Sequence, residues 1–418
     1  MADESSPIWF DVGMNLNAVS FVIGLQWFTK GRTTRSPHSK QLIQICSRKL
    51  ICYEAVDVKE NAHALKNTVH FPAAFSLTPR SCTGLTVCRG SEIQMRLQFQ
   101  YCPSEHQEEV LKRLGLGKEL QELRNRFHSI CCRMCGSFVL SPDRKFKRVL
   151  ELPSENWLEL AQDWCCHGSS HLTSATGVLE PSEDDCFVGA YYIKVHPATA
   201  VANNLRICSG EDEDEIKCCR CNSSIGIVIR EDSNLHSLDL KDVSSLYLHK
   251  HRISLRHSDL FRSYRTETFI SSCLISKSKG AVNFRFLVQE SLRSGEKITH
   301  ACLWLFNADT AVVTNIEPCA DFHCEKRPSE GGAYSITNKA KYMRVVKILY
   351  KARTLADKSS WKDEVAAWEE NPSVEVLTFA KEICFHLILL LSQSTNTIAP
   401  SLREMNGFKV GYLRTIEP

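Results

Sequence analysis

No stretch of this 418-residue chain stays apolar for the roughly 20 residues that a membrane-crossing helix needs. The longest apolar run, Ile383 to Leu391, contains Cys384 and His386 and reads as a buried helix. An excess of one charge is missing too. With 51 Lys and Arg against 48 Asp and Glu, the net charge of +3 predicts neither a polybasic nucleic-acid face nor a membrane-surface protein. Partners are expected to be proteins. There is also no Walker loop, no dinucleotide fingerprint, no His-Glu-x-x-His pair and no serine nucleophile elbow, which argues against ordinary small-molecule enzymology. The opening residues, Met1 to Pro7, carry no basic stretch followed by an apolar one, so no secretory signal is expected. The expected setting is the cytoplasm or the nucleus, where thiols stay reduced.

What the chain does have is cysteine, 20 in all, with doublets at Cys131-Cys132, Cys165-Cys166 and Cys218-Cys219. Two pairs have the Cys-x-x-Cys spacing: Cys132 with Cys135, and Cys218 with Cys221. Two thiolates at that spacing grip one tetrahedral ion, and two such pairs complete a closed four-cysteine zinc site. The alternative is a set of reduced core cysteines. Gly136 and Asn222 directly follow the two pairs, and both tolerate the left-handed backbone of a zinc-ribbon knuckle. Cys131 and Cys219 are alternative ligands, but only the 132/135 and 218/221 choice gives equal spacings.

Between the pairs lies a second cluster, Trp164-Cys165-Cys166-His167, followed by Asp185-Cys186-Phe187. Three adjacent metal-capable side chains make a poor chelate by themselves. Either Cys186 and His171 complete a second site with Cys165, Cys166 and His167, or a protruding thiol ligates a metal held elsewhere. The bland reading is packed cysteines at the end of a Trp-anchored helix. The acidic run from Glu211 to Glu215 reads as a solvated linker.

For a reactive thiol, Cys302 and Cys384 sit in apolar runs, where desolvation makes them inert. Cys319 and Cys324 lie in a polar loop beside Asp321, His323 and Lys326 and suit a nucleophile better. Cys273 is a further candidate.

At 43% hydrophobic and 24% charged, the chain is long enough for two or three folded domains. The expected class is α+β and multidomain. Residues 1–104 form a β-rich domain, with strands at Ile8 to Val12, Ser20 to Leu25, Leu50 to Val58, Leu85 to Val87 and Ile93 to Phe99. Residues 105–232 hold a helix, Glu105 to His128, and a zinc-ribbon-like four-cysteine centre with a long insertion. Residues 233–418 form an α+β domain, with strands at Asn283 to Val288, Ala301 to Leu305, Ala311 to Val313 and Lys341 to Ala352, and a helix from Val374 to Ser392.

The blocks Leu152 to Trp157, Trp164 to His167, Asp185 to Gly189, Cys302 to Asn307 and Pro400 to Phe408 resemble the HECT-like, ubiquitin-conjugating-enzyme-binding family of ubiquitin-protein ligases. The likeness runs from about Arg80 onward. It implies a HECT-like carboxy-terminal domain and a ligase that takes ubiquitin as a thioester from a conjugating enzyme and passes it to a lysine, with cyclin-type proteins among the substrates. The segment from about Ser254 to Cys273 resembles the conjugating-enzyme-binding region. The Leu-Pro-x-x-x-Thr-Cys pattern of true HECT domains is absent, so no catalytic residue is assigned. The Cys/His block also resembles a motif by which regulators of metallo-β-lactamase-type RNA endonucleases reach the nuclease metal. That likeness implies a second role, a chaperone of the pre-mRNA 3′-end endonuclease in which Cys166 caps the partner's zinc, framed by Trp164 and His167.

Overall fold

The computed structural model describes residues 8–13, 18–24, 41–57, 62–72, 75–88, 92–101, 116–125, 129–142, 145–152, 180–209, 214–229, 239–278, 284–291, 296–318, 334–353 and 358–415. These residues divide into two compact units. One comprises Met1–Glu105, Ile270–Glu290 and Ile298–Glu417; the other comprises His106–Phe269 and Ser291–Lys297.

The first unit begins with eight strands: β1 (Ile8–Gly13), β2 (Ala18–Gly24), β3 (Gln41–Ile45), β4 (Lys49–Asp57), β5 (Ala62–His70), β6 (Phe75–Leu77), β7 (Thr83–Cys88) and β8 (Glu92–Tyr101). The second unit contributes helix α1 (Leu116–Asn125), then β9 (Ile130–Cys132), β10 (Arg148–Glu151), β11 (Asp185–Val188), β12 (Tyr192–Val195), β13 (Leu205–Cys208), β14 (Asp214–Cys218), β15 (Ser224–Ile229), β16 (Ser245–His249) and β17 (Ile253–Leu255). Helix α2 (Thr266–Ser278) leads back to the first unit. That unit closes with β18 (Arg285–Ser291), β19 (Lys297–Pro318), β20 (Tyr334–Ala352), α3 (Lys358–Glu369), β21 (Val374–Thr378), α4 (Lys381–Thr397), β22 (Glu404–Met405) and β23 (Phe408–Arg414).

The spine of the first unit is the antiparallel pair β19–β20, running from Ala301↔Ala352 to Pro318↔Tyr334. From Thr310 to Ile316 every residue of β19 is buried, so its alternating side chains are covered on both faces. Strand β1 pairs antiparallel with β19, and His70 of β5 meets Lys339 of β20. The chain's beginning and end therefore share one sheet, which departs from the expected succession of three domains cut at residues 104 and 232. Strand pairing selects complementary apolar faces, and sequence distance costs only a slowly growing closure entropy. One core packs Leu50, Val69, Phe75, Leu97 and Phe99 against Ala311 and Val313, with the Phe75 and Phe99 rings stacked at 5.0 Å.

Two expected elements differ in detail. Asn307 and Asp309 suggest a break between Ala301 to Leu305 and Ala311 to Val313, yet β19 runs through both segments. The register slips at Leu305/Asn307 and Asn307/Thr310, and the Asn307 side chain accepts from the Asp309 amide at 2.8 Å. The expected helix from Val374 to Ser392 is a strand followed by a helix. Val374–Thr378 is rich in β-branched residues and pairs with β18, while Ile383, Cys384, Leu387 and Leu391 form the buried stripe of α4. Strands β3, β5 and β6 fall outside the sequence expectation, because Ala62–His70 mixes polar and small residues without alternation. Of the expected helix from Glu105 to His128, residues 116–125 are helical, and residues 105–115 and 126–128 lie outside the described residues.

In the second unit β10-β11-β12-β16-β15-β14-β13 make a seven-stranded sheet, and β9 pairs with β17 in a separate ribbon. The acidic run belongs in part to this sheet. Asp214 and Glu215 open β14, where Glu215 pairs with Lys217 at 2.9 Å.

Candidate metal centre

Strand β9 ends at Cys132, and a tight turn carries the chain to Cys135. The Gly136 amide donates to the Cys132 carbonyl at 2.9 Å, and the Cys132 amide donates to the Ser137 carbonyl at 2.8 Å. Gly136 sits at φ 71°, the left-handed region that glycine enters without strain. The second turn repeats the first. Strand β14 ends at Cys218, the Asn222 amide donates to the Cys218 carbonyl at 2.8 Å, and the Cys218 amide donates to the Ser223 carbonyl at 3.0 Å. Asn222 sits at φ 60°.

The two knuckles face each other. The sulfur atoms of Cys132, Cys135, Cys218 and Cys221 lie within 4.8 Å of one another, with Cys132–Cys221 and Cys135–Cys218 both at 3.6 Å. A tetrahedral zinc site with Zn–S bonds of about 2.3 Å requires sulfur–sulfur edges of about 3.8 Å, so this cluster has the dimensions to hold a metal ion. Cys131 and Cys219 are not part of the cluster. Cys131 turns its thiol toward the Ser129 carbonyl, and Cys219 is exposed.

The cluster's electrostatics are uneven. Burial pushes the Cys132 thiol up to about 12. Burial also raises Cys221, but the hydroxyl and amide of Ser223 and the neighbouring thiols of Cys135 and Cys132 outweigh it and hold Cys221 down to about 6. A metal must therefore displace a firmly held proton from Cys132, and protons compete with metal for the site. Metal should be lost more readily as pH falls. Extraction by a coloured chelator is expected to be faster at pH 6 than at pH 8, and equal rates would contradict the assignment.

Arg133, between the first two thiols, ties the centre to the next segment of chain. Its amide donates to the Arg252 carbonyl at 3.0 Å, and its guanidinium donates to the carbonyls of Lys250, Ile253, Phe261 and Tyr264. The β9–β17 ribbon sets Ile253 opposite Cys132 and Ser254 opposite Cys131. Residues 250–264 are thus built directly onto the first knuckle. Beneath them, the fully buried Lys250 ammonium reaches Glu119 of α1 at 2.5 Å, and the Tyr264 hydroxyl donates to the other oxygen of that carboxylate at 2.5 Å. Burial pulls the pKa of Lys250 down and Glu119 pushes it back up. Neither Arg133 nor the Lys250–Glu119 pair stands out in the sequence, although an arginine between two ligands was a signal to follow.

Cys165, Cys166, His167 and His171 lie outside the described residues, as do Cys319 and Cys324. Cys186 is wholly buried in β11, away from the four-sulfur cluster, and desolvation drives its thiol far above the ordinary range. Its neighbour Asp185 receives two hydrogen bonds from Arg148, at 2.7 and 2.6 Å, which hold its carboxyl well below the usual value. Cys302 and Cys384 are buried, and desolvation pushes both thiols up to about 12. Cys273 is half-buried on α2.

Comparison with known proteins places this geometry in context. The chain is similar to the E3 ubiquitin-protein ligase E3D of Mus musculus, 28% identical over 83% of this chain and 85% of that protein. It is similar to the protein of the same name in Homo sapiens, 27% identical over 83% and 86%. An uncharacterized protein of Saccharomyces cerevisiae is 23% identical over 78% and 81%. No solved structure matches. The family model described as HECT-like ubiquitin-conjugating enzyme (E2)-binding matches residues 38–410, and the chain belongs to that family.

Proposed function

We propose that this protein is a ubiquitin-protein ligase that docks a charged ubiquitin-conjugating enzyme, accepts the ubiquitin and delivers it to a substrate lysine in the cytoplasm or nucleus. The family match and the relatives named E3 ubiquitin-protein ligase support the general class. One structural observation carries the docking part. Arg133, flanked by two ligands of the four-cysteine centre, fixes the carbonyls of residues 250–264, which overlap the stretch resembling the conjugating-enzyme-binding segment. In this reading a zinc ion at the centre acts as a structural anchor for the docking segment.

Transfer through a thioester requires a thiolate that attacks the ubiquitin carbonyl and expels the conjugating enzyme's sulfur. A lysine amine then attacks in turn, releases that thiolate and leaves an isopeptide bond. Cys302 and Cys384 are unsuited, since each is buried and firmly protonated. Cys302→Ser and Cys384→Ser are expected to retain any reducible ubiquitin adduct seen with activating and conjugating enzymes, and loss of the adduct in either folded variant would contradict the reading. Arg133→Met should weaken conjugating-enzyme binding, measured by calorimetry, about tenfold or more, because four carbonyls lose a charged donor. Unchanged affinity would refute the docking assignment.

A second reading has one observation in its favour. Cys186, the thiol that would complete an intrachain site with Cys165, Cys166 and His167, is wholly buried in β11 and belongs to no metal-capable cluster among the described residues. That favours Cys166 as a ligand to metal in a partner, the zinc of a metallo-β-lactamase-type endonuclease. Cys166→Ala should then abolish nuclease binding while leaving the protein's own metal content unchanged.

A further inference from the structure

Two sequence blocks singled out above, Cys302 to Asn307 and Pro400 to Phe408, meet in the first unit. The Trp304 and Phe408 rings lie edge to face at 6.4 Å, and Trp368 of α3 stands 6.0 Å from Phe408. Three cations rest on this aromatic shelf. Lys351 lies 4.6 Å from the Phe408 centroid, and Lys347 lies 5.6 Å from that of Phe306. Arg285, the first residue of β18, is held between two indoles, 4.9 Å from Trp304 and 5.6 Å from Trp368.

The cations are served unequally. Lys351 is paired with Glu364 at 2.6 Å, and the other oxygen of that carboxylate accepts from the Trp368 indole at 3.1 Å. Arg285 is partly exposed, and among the described residues its guanidinium makes no hydrogen bond and no ion pair. Two nearby indole faces favour the cation, and a guanidinium whose N–H donors are unused can donate two parallel bonds to a carboxylate. Glu364 already seats one carboxylate on the same shelf. Phe306, farther along β19, is 47% exposed and lies under Lys347.

We propose that Arg285, lying against Trp304 and Trp368, is a receptor for a carboxylate side chain of an acidic peptide segment in a partner protein. The site lies in the first unit and its argument is independent of the metal centre.

The test uses the full chain labelled with fluorotryptophan, with the Trp304 and Trp368 resonances assigned through Trp304→Phe and Trp368→Phe. It is titrated with Ac-Glu-Asp-Leu-Glu-NH2, with the neutral Ac-Gln-Asn-Leu-Gln-NH2, and with inorganic phosphate. The acidic peptide should shift both resonances saturably, with the neutral peptide and phosphate each about tenfold weaker or more. Arg285→Lys, which keeps the charge and removes the fork, should weaken the acidic peptide by a similar factor. Equal response to acidic and neutral peptides, equal response to phosphate, or full affinity in Arg285→Lys would each overturn the proposal.

Discussion

Replacing Cys218 by serine is expected to strip the metal from the second unit and unfold it. Cys218 is a buried member of the four-sulfur cluster, and its knuckle shares no covalent link with that of Cys132 and Cys135. Apart from whatever the sulfurs hold, the Arg220 guanidinium of the second turn donates to the Cys135 carbonyl of the first at 3.3 Å, an exposed contact. Structural zinc contributes an apparent 10–16 kcal/mol or so in small zinc-binding peptides, about as much as the entire folding stability of an ordinary domain. Three thiolates and a hydroxyl should bind far more weakly. Metal analysis by mass spectrometry should show near-stoichiometric zinc in the parent and almost none in the variant. Amide exchange should accelerate at Ile130–Cys132 and Ile253–Leu255, the ribbon that leans on the first knuckle. If Cys218→Ser melts at the parental temperature with protected amides in that ribbon, the four cysteines are packed thiols and nothing more.

The second large effect is expected at Lys250. Its ammonium is fully buried, with Glu119 as its ion-pair partner and the oxygen of Tyr264 at 3.3 Å. Lys250→Met leaves the Glu119 carboxylate buried with only the Tyr264 hydroxyl to answer it, and breaking a buried pair from one side costs about 3–5 kcal/mol. Replacing both members should cost much less, because no charge is stranded. A urea titration of the parent, Lys250→Met and the double variant Lys250→Met with Glu119→Leu would measure the coupling directly. A single variant within about 1 kcal/mol of the parent would mean that the pair is solvated and holds nothing in place.

Much of the metal centre was legible in the sequence because ligand chemistry is local. Two equal spacings, each followed by a residue that enters the left-handed region, specify the knuckles, and they also separate Cys132 from Cys131 and Cys218 from Cys219. What the spacing does not carry is the tie from Arg133 to carbonyls more than a hundred residues away, since a backbone acceptor has no signature in the side-chain pattern. The sheets show the same division. Strands such as Glu92–Tyr101 announce themselves by alternation, with Met95, Leu97 and Phe99 buried between exposed polar residues. Helix and strand blur where apolar residues run together, as between Val374 and Leu391, because a short apolar stretch satisfies both periods. A thioester-accepting residue, which the proposed transfer would require, is not legible in the sequence, because thiol reactivity depends on surroundings that only the folded chain supplies.

The pairing of β1 and β5 with β19 and β20 also bears on biogenesis. The amino-terminal strands leave the ribosome long before their partners exist, and at about 5–20 residues per second the delay between Trp9 and Thr314, or His70 and Lys339, is roughly 15–60 s. During that interval Leu50, Val69, Phe75 and Phe99 lack the Ala311 and Val313 surface that later covers them. That apolar surface stays uncovered until Ala311 and Val313 are made, so slowing elongation between about residues 100 and 310 should lower the soluble yield.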